Sequence, residues 1–281
     1  MVRIITDSAA DLNAQEYEQL GVTCIPLRVA FGCREYLENL ELDKARFYEL
    51  LLSSDEFPKT SQSSPAGLEE ILMHAKIAGD EVVYITLSSA LSGTYQTACM
   101  VCEDVDCPGS FIFDGRNATG GQRMLVEYAC RLRDEGKNAA QIIAGLESIR
   151  DRIELYACVN TLEYLHKGGR ISNLVYTLGN LAQIKPIISV DVEGKVALPA
   201  KAMGMRKGMD ILCKRLAAHK PDGDHPLYVM YTNDRTVAET LAARMESQGL
   251  GTVPAGRIIQ VGAAIGAHIG PGACGIVYVG E

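Results

Sequence analysis

The chain has 281 residues, of which 47% are hydrophobic and 22% are charged, so it has enough apolar material to bury a core. Its formal net charge is -8, and because an acidic surface repels phosphate backbones, we expect no nucleic acid among its partners. At about 100–200 residues per domain, this length predicts two domains.

The first half of the chain alternates short apolar strands with amphipathic helices. This alternation predicts an α/β domain with a parallel sheet and helices on both of its faces. The expected strands are 2–6, 22–29, 81–87 and 110–114, and the expected helices are 11–20, 44–53, 92–103 and 121–135.

The pattern changes near Glu154, where a strand is followed by a loop-rich stretch and then by a hairpin signal at Glu193-Gly194. Since a hairpin joins antiparallel strands, the second half is predicted to be a mixed-sheet α/β domain. We therefore expect an N-terminal domain over 1–152 and a C-terminal domain over 153–281. The strands expected there are 154–159, 185–191, 194–201, 226–233, 256–262 and 274–279, and the helices are 206–218 and 235–248.

The nine cysteines and the N-terminus indicate where the protein works. An odd number of cysteines, several of them in apolar runs, favours reduced and buried thiols over a disulfide framework. The spacing of Cys99, Cys102 and Cys107 lacks an evident fourth ligand, so no metal is expected. No apolar run approaches the ~18 residues that span a bilayer, and the N-terminus lacks a signal-peptide core. We expect a cytoplasmic protein without stable membrane insertion.

Three segments rich in hydroxyl groups stand where strands are expected to end and helices to begin. They are TDSAADL (6–12), PKTSQSSP (58–65) and LSSALSGTYQ (87–96). Ser, Thr and Asp are common helix caps, so each segment alone has a structural explanation. Ligands of open parallel sheets, however, bind at the carboxyl ends of strands, beside helix N-termini that attract anions. Three such segments on one side favour a site for a carboxylate or a phosphate.

Two further segments contain glycine. In YLHKGGRIS (164–172), the glycine pair permits a tight turn between Lys167 and Arg170. The run GAAIGAHIGPGACG (262–275) resembles a nucleotide loop, but too few residues follow it for the helix that a dinucleotide fingerprint requires. We expect His268 to lie in a tight backbone turn there, either in a structural role or close to a ligand.

Together these five segments resemble the DegV family, whose characterised members include the fatty-acid-binding subunit (FakB) of bacterial fatty acid kinase. They occur in the family's order and span residues 6–275. The resemblance implies two domains with one long-chain fatty acid in a buried tunnel between them. It also implies a non-catalytic carrier with no cofactor or metal, whose kinase partner phosphorylates the bound acid to an acyl phosphate for phospholipid synthesis.

The family's site residues transfer to particular positions of this chain. The resemblance implies that Thr60 and Ser92 hold the carboxylate, with Ser61 adjacent and His268 close to the same end of the acid. Arg170, in the K-G-G-R motif, is implied either in the kinase encounter or in placing the head group. Arg206 is assigned to the same partner or head-group region.

The sequence departs from the family pattern at four positions. Ser63 replaces a proline, Gly115 replaces a serine, and Arg123 is unusual. Met203 stands where many members have an arginine, for which Arg206 is a candidate substitute. These differences concern the kinase-docking surface and the preferred chain length.

Three other functions are compatible with the sequence. An acyl transferase or hydrolase would use Ser92 or Ser61 as the nucleophile and His268 as the base, with a third group to orient the base. A binding protein for another anion would have a short polar pocket. A structural or regulatory protein would carry no stoichiometric ligand.

Overall fold

The computed structural model describes residues 1–179 and 183–281, and within these ranges the chain forms three β-sheets flanked by helices. The strands are β1 (Val2–Asp7), β2 (Val22–Ile25), β3 (Arg28–Phe31), β4 (Arg34–Leu37), β5 (Lys59–Ser61), β6 (Glu81–Thr86), β7 (Ser110–Asp114), β8 (Ile153–Cys158), β9 (Ile184–Val190), β10 (Val196–Met203), β11 (Tyr228–Tyr231), β12 (Ile258–Gln260) and β13 (Cys274–Val279). The helices are α1 (Ala14–Leu20), α2 (Lys44–Ser53), α3 (Pro65–Ala78), α4 (Thr94–Val105), α5 (Gly120–Asp134), α6 (Ala139–Arg150), α7 (Glu163–Lys167), α8 (Asn173–Gly179), α9 (Met205–Ala218), α10 (Arg235–Ser247) and α11 (Ala263–Ile269).

The first half forms the predicted parallel sheet, with strand order β2-β1-β6-β7. Successive side chains point to opposite faces of a strand, and both faces of β1 are covered. Ile4 packs in the cluster that contains α5 and α6, while Ile5 packs in the cluster that contains α3 and α4. This double cover explains why β1 and β6 read as continuous apolar runs.

The second half forms the predicted mixed sheet, with strand order β10-β9-β8-β13-β11-β12. Its pairs are antiparallel except for β11 with β12, and the Glu193-Gly194 signal is confirmed by the β9–β10 hairpin. Helices α9 and α10 cover one face of the sheet. The other face packs against α5 of the first half, so the two halves share a hydrophobic core.

Helix α5 also joins the halves through polar contacts, which gives the unusual Arg123 a structural role. Its buried guanidinium pairs with Glu16 and with Glu127, the latter at 2.9 Å. Glu127 in turn accepts a 2.6 Å hydrogen bond from the Tyr228 hydroxyl of β11. The Arg123 charge is therefore neutralised where the second sheet meets the first half.

The expectation of one strand over 22–29 is wrong. Pro26 has no amide hydrogen for a sheet ladder, and the segment divides there into β2 of the parallel sheet and β3 of a separate sheet. That sheet has the order β4-β3-β5 and is antiparallel. Strand β5 lies in the hydroxyl-rich segment PKTSQSSP, where the sequence pattern predicts no strand.

Two expectations about glycine-containing segments also need correction. The stretch 161–172 contains α7, and its glycine turn follows that helix, with Gly169 at φ +74°. His268 lies on α11 rather than in a tight turn.

Within 1–179 and 183–281, no helix combines the length and apolar character needed to cross a membrane. The placement of a domain boundary at residue 152 stays a prediction.

Candidate functional site

A cavity of about 210 Å³ lies between the two halves of the molecule. Both halves contribute to its wall, and most of the lining side chains are aliphatic. They include Leu87, Leu155, Ile188, Val190, Val196 and Ile265.

Five of the polar residues that line the cavity come from four separate segments of the chain. Thr60 and Ser61 lie on β5, Ser92 lies in the loop between β6 and α4, and Arg170 follows the turn after α7. His268 lies on α11. The fold therefore brings together the four side chains predicted to bind a ligand, along with Arg170.

Arg206 does not join this group. It is exposed on the first turn of α9 and does not line the cavity. The structure therefore separates the two arginines that the sequence placed in one partner or head-group region.

His268 and Thr60 form a direct pair in the cavity wall. Thr60 Oγ1 and His268 Nε2 are 2.8 Å apart. The imidazole is 9% exposed, and Nδ1 has no hydrogen-bond partner among the described residues. Burial, with a smaller contribution from the Arg170 charge, lowers the pKa of His268 to about 4. The imidazole is therefore neutral at physiological pH.

The glycine turn after α7 fits closely against this histidine. A Cβ atom at Gly168 would lie 2.1 Å from His268 Nδ1, a contact that any larger residue would have to relieve. The same turn orients Arg170, whose Nη1 donates a hydrogen bond to the Gly168 carbonyl oxygen.

Arg170 is a half-buried cation without an acidic partner. Its Nε donates a 3.0 Å hydrogen bond to the Leu91 carbonyl oxygen, and within the described ranges no carboxylate lies within ion-pair distance of it. Burial lowers its pKa from the ordinary arginine value. Buried charges in proteins are normally paired, so the position favours an anionic ligand.

Ser92 and Ser61 have local hydrogen-bond partners. Ser92 Oγ is 2.9 Å from Thr94 Oγ1, and Ser61 Oγ donates to Glu35 at 3.2 Å. Neither serine is bonded to His268, and no group orients Nδ1 of that histidine in the described part of the chain. The geometry thus lacks the nucleophile–base–orienter arrangement that an acyl transferase or hydrolase requires.

Sequence reasoning missed three polar residues of the cavity. Gln62, Thr119 and Ser189 all line it. Gln62 directly follows the predicted Thr60 and Ser61, and this adjacency was the available signal. Thr119 has φ +49°, which is unusual for a β-branched residue and has no sequence signature.

The first hydroxyl-rich segment has a different role from the other two. Thr6 donates a 2.8 Å hydrogen bond to the Ile85 carbonyl oxygen, and Asp7 accepts one from the Leu87 amide at 2.8 Å. Neither residue lines the cavity. The helix-cap explanation holds for Asp7, which also accepts from the Ala9 amide.

The same segment helps to position α11. Asp11 accepts a hydrogen bond from the Gly262 amide at 2.8 Å, and Glu38 accepts one from the Ala264 amide at 3.1 Å. Ser8 Oγ donates to Glu38 at 2.6 Å. Two buried carboxylates therefore hold the N-terminus of the helix that carries His268.

Burial changes the protonation of Glu38. Burial, together with a smaller contribution from the nearby Asp11 charge, raises the pKa of this carboxyl to about 7, although the hydrogen bond from Ser8 opposes the increase. Residues 1–179 and 183–281 contain no group of three His, Cys, Asp or Glu side chains arranged to hold a metal ion.

The fold and the sequence both match known proteins over nearly their whole length. A DegV domain-containing protein of Clostridium acetobutylicum is 31% identical over 278 residues, covering 98% of each chain. A DegV family protein from Thermus thermophilus, described for its fatty acid binding, has a TM-score of 0.88 at 29% identity and covers 99% of both chains. A fatty-acid-binding DegV family protein from Streptococcus agalactiae has a TM-score of 0.89 at 27% identity, covering 99% of this chain and 98% of that one. The family model described as "Uncharacterised protein, DegV family" matches residues 1–281, so the chain belongs to the DegV family.

Proposed function

We propose that this protein binds one long-chain fatty acid in the cavity between its halves, with the carboxylate at Thr60, Ser92, His268 and Arg170. The observation that carries the proposal is the composition of the wall: most of its side chains are aliphatic, and its polar side chains include His268, bonded to Thr60, and the unpaired cation Arg170. The fatty acid binding described for DegV proteins of similar fold supports it.

The head-group chemistry suits a carboxylate. A buried carboxylate is costly unless hydrogen bonds or a counter-charge compensate it, and Arg170 offers the charge. A neutral His268 with its proton on Nε2 donates to Thr60 Oγ1, which leaves the Thr60 hydroxyl hydrogen free for the ligand. Ser92 supplies a second hydroxyl, so the ligand would meet one cation and two hydroxyl donors.

The tail would lie against the aliphatic wall. Burying a methylene contributes about 0.8 kcal/mol, so ~14 methylenes offer roughly 11 kcal/mol before ordering costs. A second, apolar cavity of about 30 Å³ shares Thr119, Leu155, Ile188 and Ile269 with the first. The two cavities are therefore neighbours, separated by these shared side chains.

We also propose that the protein is a non-catalytic carrier that presents the bound carboxylate to a fatty acid kinase subunit in the cytoplasm. Its own side chains would bind and orient the acid, while the partner would supply the phosphoryl transfer and form the acyl phosphate. Arg206 and Met203, the latter 55% exposed, are candidates for the partner surface because they are accessible and lie outside the cavity.

Native mass spectrometry of the purified protein, followed by lipid extraction and identification, tests the binding. One fatty acid per chain, or stoichiometric uptake by delipidated protein, is the expected result. A protein that is empty and takes up no added fatty acid would exclude this function. Hydrolysis of an activated ester that is lost in Ser92→Ala would instead support the acyl-transfer alternative.

Reconstitution with a fatty acid kinase catalytic subunit tests the carrier role. With ATP and loaded protein, we expect acyl phosphate that hydroxylamine traps as the hydroxamate. Arg206→Glu should reduce the rate of its formation without changing fatty acid affinity, and Arg235→Glu is the matched control in an exposed arginine of α10. Loaded protein that supports no acyl phosphate formation would contradict the carrier role while leaving the binding intact.

A further inference from the structure

The β9–β10 hairpin forms part of the cavity wall, through Ile188, Ser189, Val190 and Val196. The neighbouring strand β8 supports only part of it. The β8–β9 register ends at Tyr156 paired with Ser189, so the remainder of the hairpin, from 190 to 196, extends beyond that ladder. This projecting part needs support from elsewhere in the molecule.

The support comes from the first half of the chain. Ser88 Oγ, at the end of β6, donates a buried 2.8 Å hydrogen bond to the Gly194 carbonyl oxygen. Gly194 is buried, although its neighbours Asp191, Val192 and Glu193 are exposed. One residue of the hairpin tip is therefore set into the opposite half of the molecule.

The fit at Gly194 depends on the absence of a side chain. A Cβ atom there would lie 2.1 Å from Ser88 Oγ and 3.1 Å from Arg116 Cα. Gly194 also has φ +79°, which disfavours other residues. The Arg116 guanidinium adds a longer contact of 3.5 Å to the Val192 carbonyl oxygen.

The surface that receives the hairpin tip, here called the seat, is formed by the segment after β7. This segment departs from the family pattern at Gly115. Asp114 accepts hydrogen bonds from the amides of Ser89 and Arg116, each at 3.0 Å, which ties this segment to the loop after β6. Gly115 lies so close to β6 that a Cβ atom would be 2.6 Å from the Thr86 carbonyl oxygen. The departure from the family pattern at Gly115 is thus part of the seat.

The tip itself is an internally bonded turn. Asp191 accepts hydrogen bonds from the amides of Glu193 and Lys195 through its side chain, at 3.0 and 2.9 Å, and from the Gly194 amide through its carbonyl, at 2.8 Å. Such a turn moves as one unit, so release of the Gly194 contact would free the projecting part of the hairpin together.

We propose that Ser88 and Gly194 form a clasp between the two halves of the molecule, which holds the hairpin wall closed and sets the rate at which the ligand leaves. Neither residue lines the cavity, so both act as positioning residues through Val190 and Val196. This inference rests on the proposed fatty acid binding.

The test measures release of cis-parinaric acid from delipidated, reloaded protein in a stopped-flow experiment with excess oleic acid as competitor. Ser88→Ala removes the donor of the clasp and should speed release about tenfold, the rate equivalent of one hydrogen bond. Gly194→Ala should speed it at least as much. Gly223→Ala is the control, because Gly223 has φ +82° but no atom within 4 Å of a Cβ position.

Hydrogen exchange separates a clasp from general destabilisation. In Ser88→Ala, the amides of 191–196 should exchange faster while those of β1 and β6 keep their protection. Release at the wild-type rate from a folded Ser88→Ala variant would overturn the clasp, as would equal acceleration in Gly223→Ala. Failure of the wild-type protein to bind cis-parinaric acid at all would instead count against the proposed function.

Discussion

Substitution of Thr60 tests the proposed head-group chemistry, because its hydroxyl lines the cavity and contacts His268. Thr60→Val keeps the shape of the side chain but removes its donor, and a hydrogen bond to a charged group contributes about 1.5–3 kcal/mol. We expect the dissociation constant for a long-chain fatty acid to rise about 10- to 150-fold in titrations of delipidated protein. Thr252→Val, which affects an exposed threonine bonded to Glu246, should leave it unchanged.

Arg170 tests whether the cavity recognises charge. Its guanidinium has no acidic partner among the described residues, so a carboxylate would complete the pair. We expect Arg170→Gln to weaken binding of a fatty acid by at least about tenfold, the loss of one charge-assisted hydrogen bond. Binding of the corresponding fatty alcohol should change little, because it carries no charge. An equal loss for both ligands would show that Arg170 maintains the shape of the cavity.

The sequence predicts several of the side chains that line the cavity, but it does not predict the backbone geometry that brings them together. Thr60, Ser92 and His268 were identified through motifs, since each stands in a recognisable run. Thr119 is not identified, because it stands in none of these runs and its φ of +49° has no sequence signature. Arg206 is assigned to the same region as Arg170 because it stands three residues after Met203, where the family has an arginine, and this spacing does not show that the side chain lies outside the cavity.

At the scale of elements, the anchoring of α11 by Glu38 predicts a pH effect on stability. The folded-state pKa of Glu38 is about 7, above its ordinary value of 4.5, so the folded protein binds the extra proton between these values. The buried charge of ionised Glu38 therefore lowers the free energy of unfolding fully above pH 7 and does not lower it below pH 4.5.

Glu38→Gln removes that ionisation and keeps an acceptor for the Ala264 amide. Its free energy of unfolding relative to the wild type should rise by about 3 kcal/mol between pH 4.5 and pH 7.5, measured by urea denaturation. Asp7 and His268 are present in both proteins. Subtracting the wild-type free energy of unfolding from that of the variant at each pH therefore reduces their contribution to the pH dependence. Glu49→Gln, in an exposed ion pair with Arg46, should show no such trend, and a constant difference for Glu38→Gln would show that folding does not raise the pKa of Glu38.

The elements that could be predicted are those with a sustained hydrophobic pattern, either a helical periodicity or a continuous apolar run. Helix α5 and strand β6 are long enough for burial to impose a clear pattern on the residue types. Strand β5, with three residues, and helix α11, rich in glycine and alanine, are too short or too uniform for such a pattern. Both carry residues that line the cavity, and both depend on tertiary contacts: β5 pairs with β3, and buried carboxylates hold α11.

For the whole molecule, a ligand between the halves should stabilise both of them. The halves already share a core around α5, and the cavity interrupts their contact. A fatty acid at 100 times its dissociation constant would add about 2.7 kcal/mol to the free energy of unfolding, which raises the melting temperature by several degrees. The fatty acid methyl ester, which carries no charge, should raise it less.

Hydrogen exchange locates this stabilisation. If the acid lies between the halves, protection should increase at β5, which belongs to the first half, and at β9 and β10, which belong to the second, because each contributes residues to the cavity wall. Strand β12, at the far edge of the mixed sheet, serves as the internal reference, since none of its residues lines the cavity. Protection confined to one half would place the ligand elsewhere and remove the basis for a carrier whose two halves enclose its cargo.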